Sequence, residues 1–381
     1  MQRWNINYLK QLHSQYERLS INTDDPTLSL EYESTANSIL EIIDRYDEMT
    51  HKRKNFTGGI EVSNHKSIVS SDFKIISDYG YYCPYIRLLS QYDNSLYIKP
   101  NTELPFIETN SQRIVTVSSS FYRQFHGTFG NTFKEMSLRF KDTIHMKKLT
   151  GSTITAGQTY SVYNTGITFF ELGYNNTIQD YVSAIHEFGH GISCKLNPEA
   201  MWDFGKYCFI EVDSLFFELL GTDYIGNKLN RKKDAFDINM HVLKDYIYSS
   251  MLISVKLDMY SECDRYDLNS KRFVKQYLAH EVGLNKLGIS DVMNTYVRDY
   301  MHYIVSYLTA VELYLIYQYN PDYALDLLFK IINIKKDNSK EYLDYIRTLG
   351  LEPGKNFDNY ITLLFERAKE VKDEKSLRYK N

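Results

Sequence analysis

The sequence from 186 to 190 is His186-Glu187-Phe188-Gly189-His190, and it decides which fold and which chemistry we expect of the chain. Four residues turn an α-helix through about 400°, so the two imidazoles project from one face, one turn apart. At that spacing both can bind one tetrahedral metal ion, typically zinc. Glu187 would lie beside the metal, where a carboxylate can take a proton from water. The pentapeptide therefore indicates a zinc hydrolase, with a peptidase as the leading hypothesis.

The residues around the pentapeptide favour a helix. Thr177 and Asp180 have the spacing of a capping box, and Pro198 is expected to end the helix. Gly189 and Gly191 each cost about 1 kcal/mol relative to Ala in a helix, so they suit close packing or access to a metal better than helix stability. The alternative interpretation is two ordinary histidines on a half-buried helix. The expected apolar face consists of Tyr181, Val182, Ile185, Phe188 and Ile192.

A second helical pattern, from Cys208 to Leu220, carries two glutamates within an apolar run. Glu211 and Glu218 are seven residues apart, nearly two turns, so they share a stripe of the helix with Ser214 between them. Carboxylates among phenylalanines need a partner. A metal ligand at Glu211, and at Glu218 a carboxylate that orients a ligand histidine, would satisfy both. Salt bridges to lysine or arginine elsewhere are the alternative.

With these residues in place, the chain resembles the oligopeptidase family of gluzincins, which includes oligoendopeptidase F and thimet oligopeptidase. Ile167–Tyr174 is similar to that family's strand along the edge of the cleft. Thr177–Gly191 is similar to its zinc helix, including Asp180 six residues before the first histidine. Glu211–Ser214 and Glu218 are similar to its third-ligand helix.

The resemblance implies one Zn²⁺ per chain, bound by His186, His190 and Glu211. It implies Glu187 as general base and acid, and hydrolysis of internal bonds in short, unstructured peptides. The implied fold is mainly α with a smaller β-rich part, a gluzincin-type helical catalytic domain with a peptide cleft. Supporting carboxylates behind the ligands are expected at Glu218 and Asp180.

The resemblance also implies a later helix whose histidine and tyrosines hold the oxyanion and the substrate backbone. Hydrogen-bond donors aimed at a developing oxyanion each contribute a few kcal/mol, so such a hydrolase needs them. The candidates are His302, Tyr307 and Tyr314. This segment contains many tyrosines, and in sequence a catalytic tyrosine is not distinguished from one that lines a groove or packs in the core. The rivals are Tyr303, Tyr317 and Tyr319.

Organisation along the chain predicts two parts. Residues 1–130 form an N-terminal helical and strand-rich region that differs from the family, and residues 131–381 form the catalytic domain. Residues 1–56 are helical in pattern, and Gly58-Gly59 is expected to break that pattern. From residue 133 onward helices are expected to dominate, apart from the strand near Ile167. Strands are predicted at Phe73–Ile76, Tyr85–Leu89 and Arg113–Val117; long helices are predicted at about 234–260, 289–319, 321–334 and 356–375.

Composition agrees with a globular enzyme. The chain has 381 residues, 43% of them hydrophobic and 24% charged, enough for a large core. A net charge of −4 argues against a nucleic-acid partner and an anionic membrane surface. No apolar run reaches the length of a membrane helix, and the N-terminus lacks the apolar core of a signal peptide, so a cytoplasmic location is expected. The sequence leaves the oligomeric state open.

Two other functions remain open. The first is a dedicated maturation or effector (toxin-type) zinc protease that recognises one partner protein. The second is a noncatalytic binding protein stabilised by zinc, although Glu187 argues against it because a structural site needs no base. For the leading hypothesis we expect an extended peptide substrate to pair with the strand Ile167–Tyr174.

Overall fold

The fold is described from a computed structural model. The chain is mainly α-helical with a small three-stranded sheet, which confirms the predicted fold class. Within the part of the chain described, no helix is both long and apolar enough to cross a membrane. The structure describes residues 4–51, 72, 74–76, 78, 80–92, 106–149, 157–199, 204–262, 274–276, 289–295, 297–336 and 338–378.

The chain begins with a hairpin of two helices, α1 (Ile6–Asn22) and α2 (Pro26–His51). Asn5 caps α1, because its side chain accepts a hydrogen bond from the Tyr8 backbone N–H at 3.2 Å. Trp4 fixes the start of the hairpin by donating from Nε1 to the Phe170 backbone carbonyl at 2.9 Å. The helical pattern predicted for residues 1–56 is thus confirmed for these two helices, while residues 52–56 and Gly58-Gly59 lie outside the described residues.

Helices replace the strands that the sequence predicted between residues 72 and 125. Tyr85–Leu89 lies in α3 (Cys83–Ser90), and Arg113–Val117 lies in α4 (Ser111–Tyr122). Residues 74–76 are also helical, and Phe73 lies outside the described residues. The caps explain the result, because Pro84 stands in the first turn of α3 and the Asn110 side chain accepts from the Arg113 N–H. Two short helices follow, α5 (Gly127–Ser137) and α6 (Phe140–Thr143).

The sheet contains β1 (Ile144–Lys148), β2 (Gly157–Val162) and β3 (Ile167–Tyr174) in the order β1-β3-β2. The strand β3 has the predicted bounds, whereas β1 and β2 were not predicted. β1 pairs with β3 in parallel and β2 pairs with β3 antiparallel. Both edges of β3 are therefore occupied, and the prediction that this strand pairs with a substrate is wrong. Among the described residues, β2 is one of the two outer strands.

The helix that carries the pentapeptide, α7 (Gln179–Leu196), packs on the sheet and on the helix that follows it. Its predicted end before Pro198 is confirmed. The capping box forms only in part, because α7 has Ile178 rather than Thr177 at the N-cap. The later helices are α8 (Val212–Lys228), α9 (Lys232–Glu262), α10 (Ile289–Asn294), α11 (Val297–Tyr319), α12 (Pro321–Asn333), α13 (Ser339–Thr348) and α14 (Phe357–Arg378).

Two apolar clusters hold these layers together. The larger one surrounds α7, and it includes buried residues from both sides of residue 130, such as Phe121 and Phe188. The smaller one lies on the opposite face of the sheet, where α1 and α2 pack Leu9 and Ile39 around Phe169. The sheet is thus covered on both faces, which leaves its outer strand edges as places where another chain could add. The single helix predicted at 289–319 is divided into α10 and α11.

Candidate active site

The helix α7 presents His186 and His190 on one face, with 5.0 Å between the two ring centroids. The opposite face is fixed in the core, because Phe188 is stacked on Phe140 at 4.7 Å between centroids. Core packing therefore sets the direction in which the two imidazoles point.

Glu211 faces both histidines from the N-cap position of α8. Its Oε2 lies 3.3 Å from His186 Nε2 and 3.0 Å from His190 Nε2. The Ser214 hydroxyl lies 3.0 Å from the Glu211 backbone carbonyl and 3.1 Å from the same carboxylate oxygen, and the Glu211 backbone N–H donates to Ser306 Oγ at 3.3 Å. Two helices and a residue of α11 thus fix the position of this carboxylate.

The three side chains fit a zinc ion. One ligand atom from each of His186, His190 and Glu211 lies within 4.8 Å of the others, and two imidazole nitrogens with one carboxylate oxygen are a donor set that zinc accepts. Burial lowers the pKa of His186, but hydrogen bonds to Glu211 and Glu218 outweigh it and hold that pKa well above its usual value. Burial raises the pKa of Glu211, yet the charge of His190 and the bonds to both histidines hold it well below its usual range. Each of these shifts reflects attraction between the histidines and the carboxylates around them.

Glu218 lies behind His186, where the sequence predicted a supporting carboxylate. Its Oε2 is 2.8 Å from His186 Nδ1, on the side of the ring that faces away from Glu211. Such a bond places the proton on Nδ1 and leaves the Nε2 lone pair free for a metal.

His190 has a carboxylate on the same side of its ring, although at a greater distance. Asp213 Oδ1 lies 4.0 Å from His190 Nδ1, and within the described residues neither buried atom has a hydrogen-bond partner. The Ser193 hydroxyl donates to the other oxygen, Asp213 Oδ2. The two atoms face each other too far apart for a hydrogen bond, so His190 is held less tightly than His186.

Glu187 lies against the outer strand β2 and is only 6% exposed. The Thr159 hydroxyl donates to Glu187 Oε2 at 2.6 Å. A Cβ atom at Gly157 would lie 2.4 Å from Glu187 Cγ, which is too close for any side chain there without movement of the glutamate. The strand thus encloses the carboxylate that the sequence predicted as general base.

Asp180 lies at the beginning of α7, where it caps the helix. Its carboxylate accepts hydrogen bonds from the backbone N–H groups of Asn175 at 3.1 Å and Thr177 at 3.0 Å. The second of these is the carboxylate half of a capping box. The Thr177 hydroxyl instead bonds to the Asn175 side chain at 3.0 Å. These contacts assign Asp180 a role in helix start, and its predicted support of the ligands stays a prediction.

The structure does not bring Tyr307 and Tyr314 of α11 into the hydrogen-bonded cluster of histidines and glutamates. Tyr307 is buried, with its ring stacked on Tyr246 at 4.2 Å between centroids. The Tyr314 hydroxyl donates to Asp223 at 2.7 Å. The third candidate, His302, packs its ring on Tyr303 at 4.3 Å between centroids. Their roles toward an oxyanion stay predictions.

Sequence reasoning missed four residues near the site. Thr159 and Gly157 were missed because β2 was not predicted as a strand. Asp213 was quoted only as part of the Glu211 segment, although its position two residues after a ligand was a usable signal. Tyr246 of α9 gave no local signal; burial, followed by the charges of Glu218 and Glu211, raises the pKa of its phenol well above the usual value.

Three solved structures are similar to this fold. One, described as an oligoendopeptidase F at 3.1 Å, has 13% identity and a TM-score of 0.50, covering 96% of this chain and 75% of the other. One described as oligoendopeptidase F from Bacillus anthracis str. Ames has 14% identity and a TM-score of 0.46, covering 98% and 67%. PZ peptidase A with an inhibitor has 12% identity and a TM-score of 0.49, covering 91% and 72%. No protein-family model and no curated protein matches the chain. The chain thus has the helical fold of oligoendopeptidases.

Proposed function

We propose that this chain is a zinc metallopeptidase that hydrolyses internal bonds of short, unstructured peptides. One observation carries the proposal: the Nε2 atoms of His186 and His190 converge on Glu211 Oε2 at 3.3 Å and 3.0 Å, with Glu187 next to them in sequence. A site of purely structural zinc has no use for a buried carboxylate beside its ligands. The helical oligopeptidase fold is consistent with the proposal.

The chemistry expected of these residues is a general base-assisted attack of water on a peptide carbonyl. His186, His190 and Glu211 would hold the zinc, which when bound supplies a Lewis acid and makes water more acidic. Glu187 accepts the proton of the attacking water and then gives it to the leaving amine. Glu218 keeps the Nδ1 proton of His186 in place throughout, so the Nε2 lone pair stays available.

Peptide binding is proposed at the edge of β2 that pairs with no other strand among the described residues. This strand contacts Glu187 through Thr159, and an extended peptide added along it would bring a scissile bond beside the base. Main-chain hydrogen bonds to a strand edge demand little of the peptide's sequence. These hydrogen bonds require that the backbone N–H and C=O groups of the peptide be unpaired before it binds, as they are in an unstructured peptide.

Metal analysis and two variants test the proposal. We expect one zinc per chain after purification without chelator, and cleavage of quenched peptides that chelators abolish. Glu187→Gln should keep the zinc and lose hydrolysis, because it removes the base and no ligand. Glu211→Ala should lose the zinc. Exposed Glu366, changed to Gln, is the control. Less than half an equivalent of metal, or wild-type cleavage by Glu187→Gln, would overturn the proposed function.

A further inference from the structure

Two residues of β2 touch Glu187 from the side opposite its own helix. Thr159 Oγ1 lies 2.6 Å from Glu187 Oε2 and 3.2 Å from the Glu187 backbone carbonyl. Gly157 leaves the space that the Glu187 side chain fills, since a Cβ there would be 2.4 Å from Cγ and 2.5 Å from Oε1. Together Gly157 and Thr159 form what we call the β2 clamp.

We propose that the β2 clamp positions Glu187 for proton transfer, with Thr159 fixing one carboxylate oxygen and Gly157 providing the space beside the other. The proposal rests on the proposed function, because it concerns the general base of that reaction. Thr159 is a positioning residue, since its hydroxyl contacts the glutamate and acts through it.

The physical reason is the freedom of a glutamate side chain. The last torsion of Glu is broad and roughly two-fold, so a carboxylate without a partner rotates about it. A hydroxyl has one proton to donate, and the shorter of its two contacts, to Oε2, is the stronger candidate for that bond. With Oε2 engaged, Oε1 is left to accept a proton from water. A misplacement of about 1 Å at a reacting group can lower a rate by about 100-fold, so a fixed carboxylate matters.

The clamp is itself held rigidly with respect to α7. Thr159 is paired with Phe170 across the sheet, and the Phe170 ring packs edge-on against Phe188 of α7 at 5.2 Å between centroids. Threonine is β-branched and stiff about its first side-chain torsion in a strand. The donor Thr159 and the acceptor Glu187 are therefore held by the same packed core, which fixes their relative position. A base that is positioned for proton transfer requires such support.

Two substitutions of Thr159 separate positioning from mere stability. Thr159→Val keeps the branched shape and removes the hydroxyl, so we expect kcat to fall about 10- to 100-fold with KM little changed. Thr159→Ser keeps the hydroxyl and should restore most of the rate. The matched control is Thr168→Val on β3, whose buried hydroxyl has no hydrogen-bond partner among the described residues. Wild-type kcat in Thr159→Val would overturn the proposal, and so would an equal loss in Thr168→Val.

Gly157→Ala tests the other half of the clamp. The added methyl should displace the Glu187 carboxylate and lower kcat, with zinc content retained. Gly80→Ala is the matched control, because among the described residues the nearest atom to a Cβ at Gly80 belongs to Ile76, at 4.0 Å. Unchanged kcat in Gly157→Ala would contradict the assignment of that space.

A measurement without activity completes the test. In chelator-treated protein, the thermal unfolding of Thr159→Val, Glu187→Ala and the double variant forms a cycle. We expect the sum of the losses of melting temperature in the two single variants to exceed the loss in the double variant, because each single variant removes the same hydrogen bond. Simple additivity would overturn the clamp even if no peptide substrate is found. If the wild type cuts no peptide but the cycle shows non-additive losses, the proposed function is contradicted and the β2 clamp is not.

Discussion

The two predicted histidine ligands differ at the ring nitrogen that faces away from the metal site. His186 Nδ1 is 2.8 Å from Glu218, a hydrogen bond, whereas His190 Nδ1 is 4.0 Å from Asp213. A carboxylate on that nitrogen fixes the tautomer and makes the other nitrogen a better ligand. If His186 and His190 bind zinc as proposed, the distances predict that Glu218 contributes more to metal binding than Asp213 does.

We predict that Glu218→Gln lowers zinc affinity about 10- to 100-fold, since the loss of such a partner typically has that effect. Asp213→Asn should lower it less. Competition with a chromophoric chelator measures both affinities, and Glu366→Gln at an exposed position controls for the change of charge. Equal affinities in Glu218→Gln and wild type would contradict the role of this bond.

Tyr314 offers a second prediction, because its contacts favour a structural role over the catalytic one that the sequence predicted. Its hydroxyl donates to Asp223 at 2.7 Å, and Arg367 binds the other oxygen of that carboxylate at 2.6 Å. Tyr314→Phe should lower the free energy of unfolding by about 1–3 kcal/mol, the usual loss for a bond to a charged group. It should change kcat little.

Thermal unfolding and peptide kinetics on the same samples decide this. Tyr319→Phe is the control, since Tyr319 is 90% exposed. A fall in kcat of about 100- to 1000-fold in Tyr314→Phe, with unchanged stability, would restore the catalytic interpretation.

Residue spacing explains which site residues could be predicted. The pairs His186 and His190, and Glu211 and Glu218, each lie on or at the start of one helix, so helical periodicity brings them together before any tertiary contact is known. The tyrosines of α11 also lie on one helix, but periodicity cannot tell which of its faces is buried. Thr159 reaches Glu187 only through sheet pairing, which local sequence does not specify.

At the scale of elements, two glycines set how closely α7 approaches its neighbours. A Cβ at Gly189 would lie 3.0 Å from the Ser214 Cα of α8, a backbone atom that cannot rotate away. A Cβ at Gly191 would lie 2.6 Å from both Met136 Sδ and Phe170 Cζ. Glycine costs helix stability at both positions, but it lets α8 come close at Gly189 and lets Met136 and Phe170 come close at Gly191.

We therefore predict that Gly189→Ala and Gly191→Ala each destabilise the protein by about 1–3 kcal/mol, although alanine favours helix. Only Gly189→Ala should also weaken zinc binding, since it pushes on the helix that follows Glu211. Thermal unfolding and chelator competition measure the two effects. Gly80→Ala is the control, because a Cβ at Gly80 would make no contact closer than 4.0 Å with the described residues. A stabilised Gly189→Ala would contradict the packing argument.

Element boundaries show where local pattern fails. The bounds of β3 were predicted correctly through the resemblance to the oligopeptidase family, and α7 was predicted correctly from its helical pattern. Arg113–Val117 was predicted as a strand because Ile, Val and Thr favour extended backbone. The cap at Asn110 and burial of Ile114 on one helix face outweighed that preference. Strands as short as β1 and β2 gain their stability from pairing with β3 and give little signal alone.

At the scale of the whole molecule, the arrangement of the sheet limits where an extended substrate could add as a strand. The hairpin of α1 and α2 covers one face of the sheet, α7 covers the other, and β3 is paired on both sides. Among the described residues, β1 and β2 each keep one unpaired edge, and we place the proposed peptide on β2 because its Thr159 contacts Glu187. The chain spans 75% of the length of the oligoendopeptidase structure with which it has a TM-score of 0.50.

The last prediction concerns the physical state of the substrate. In the proposed binding mode the segment around the scissile bond lies extended along β2, whereas in a folded protein the N–H and C=O groups of such a segment are already engaged. We expect cleavage within a mixture of unstructured peptides and none in a tightly folded protein, both followed by mass spectrometry in one reaction.

The same folded protein, unfolded beforehand by reduction and alkylation of its disulfides, should become a substrate, which separates the effect of folding from the effect of sequence. Glu187→Gln controls for contaminating proteases. Cleavage of one folded protein at one site, with the peptides intact, would instead indicate a dedicated protease. Recognition of a protein surface would then have to supply the binding energy that we assign to pairing with β2.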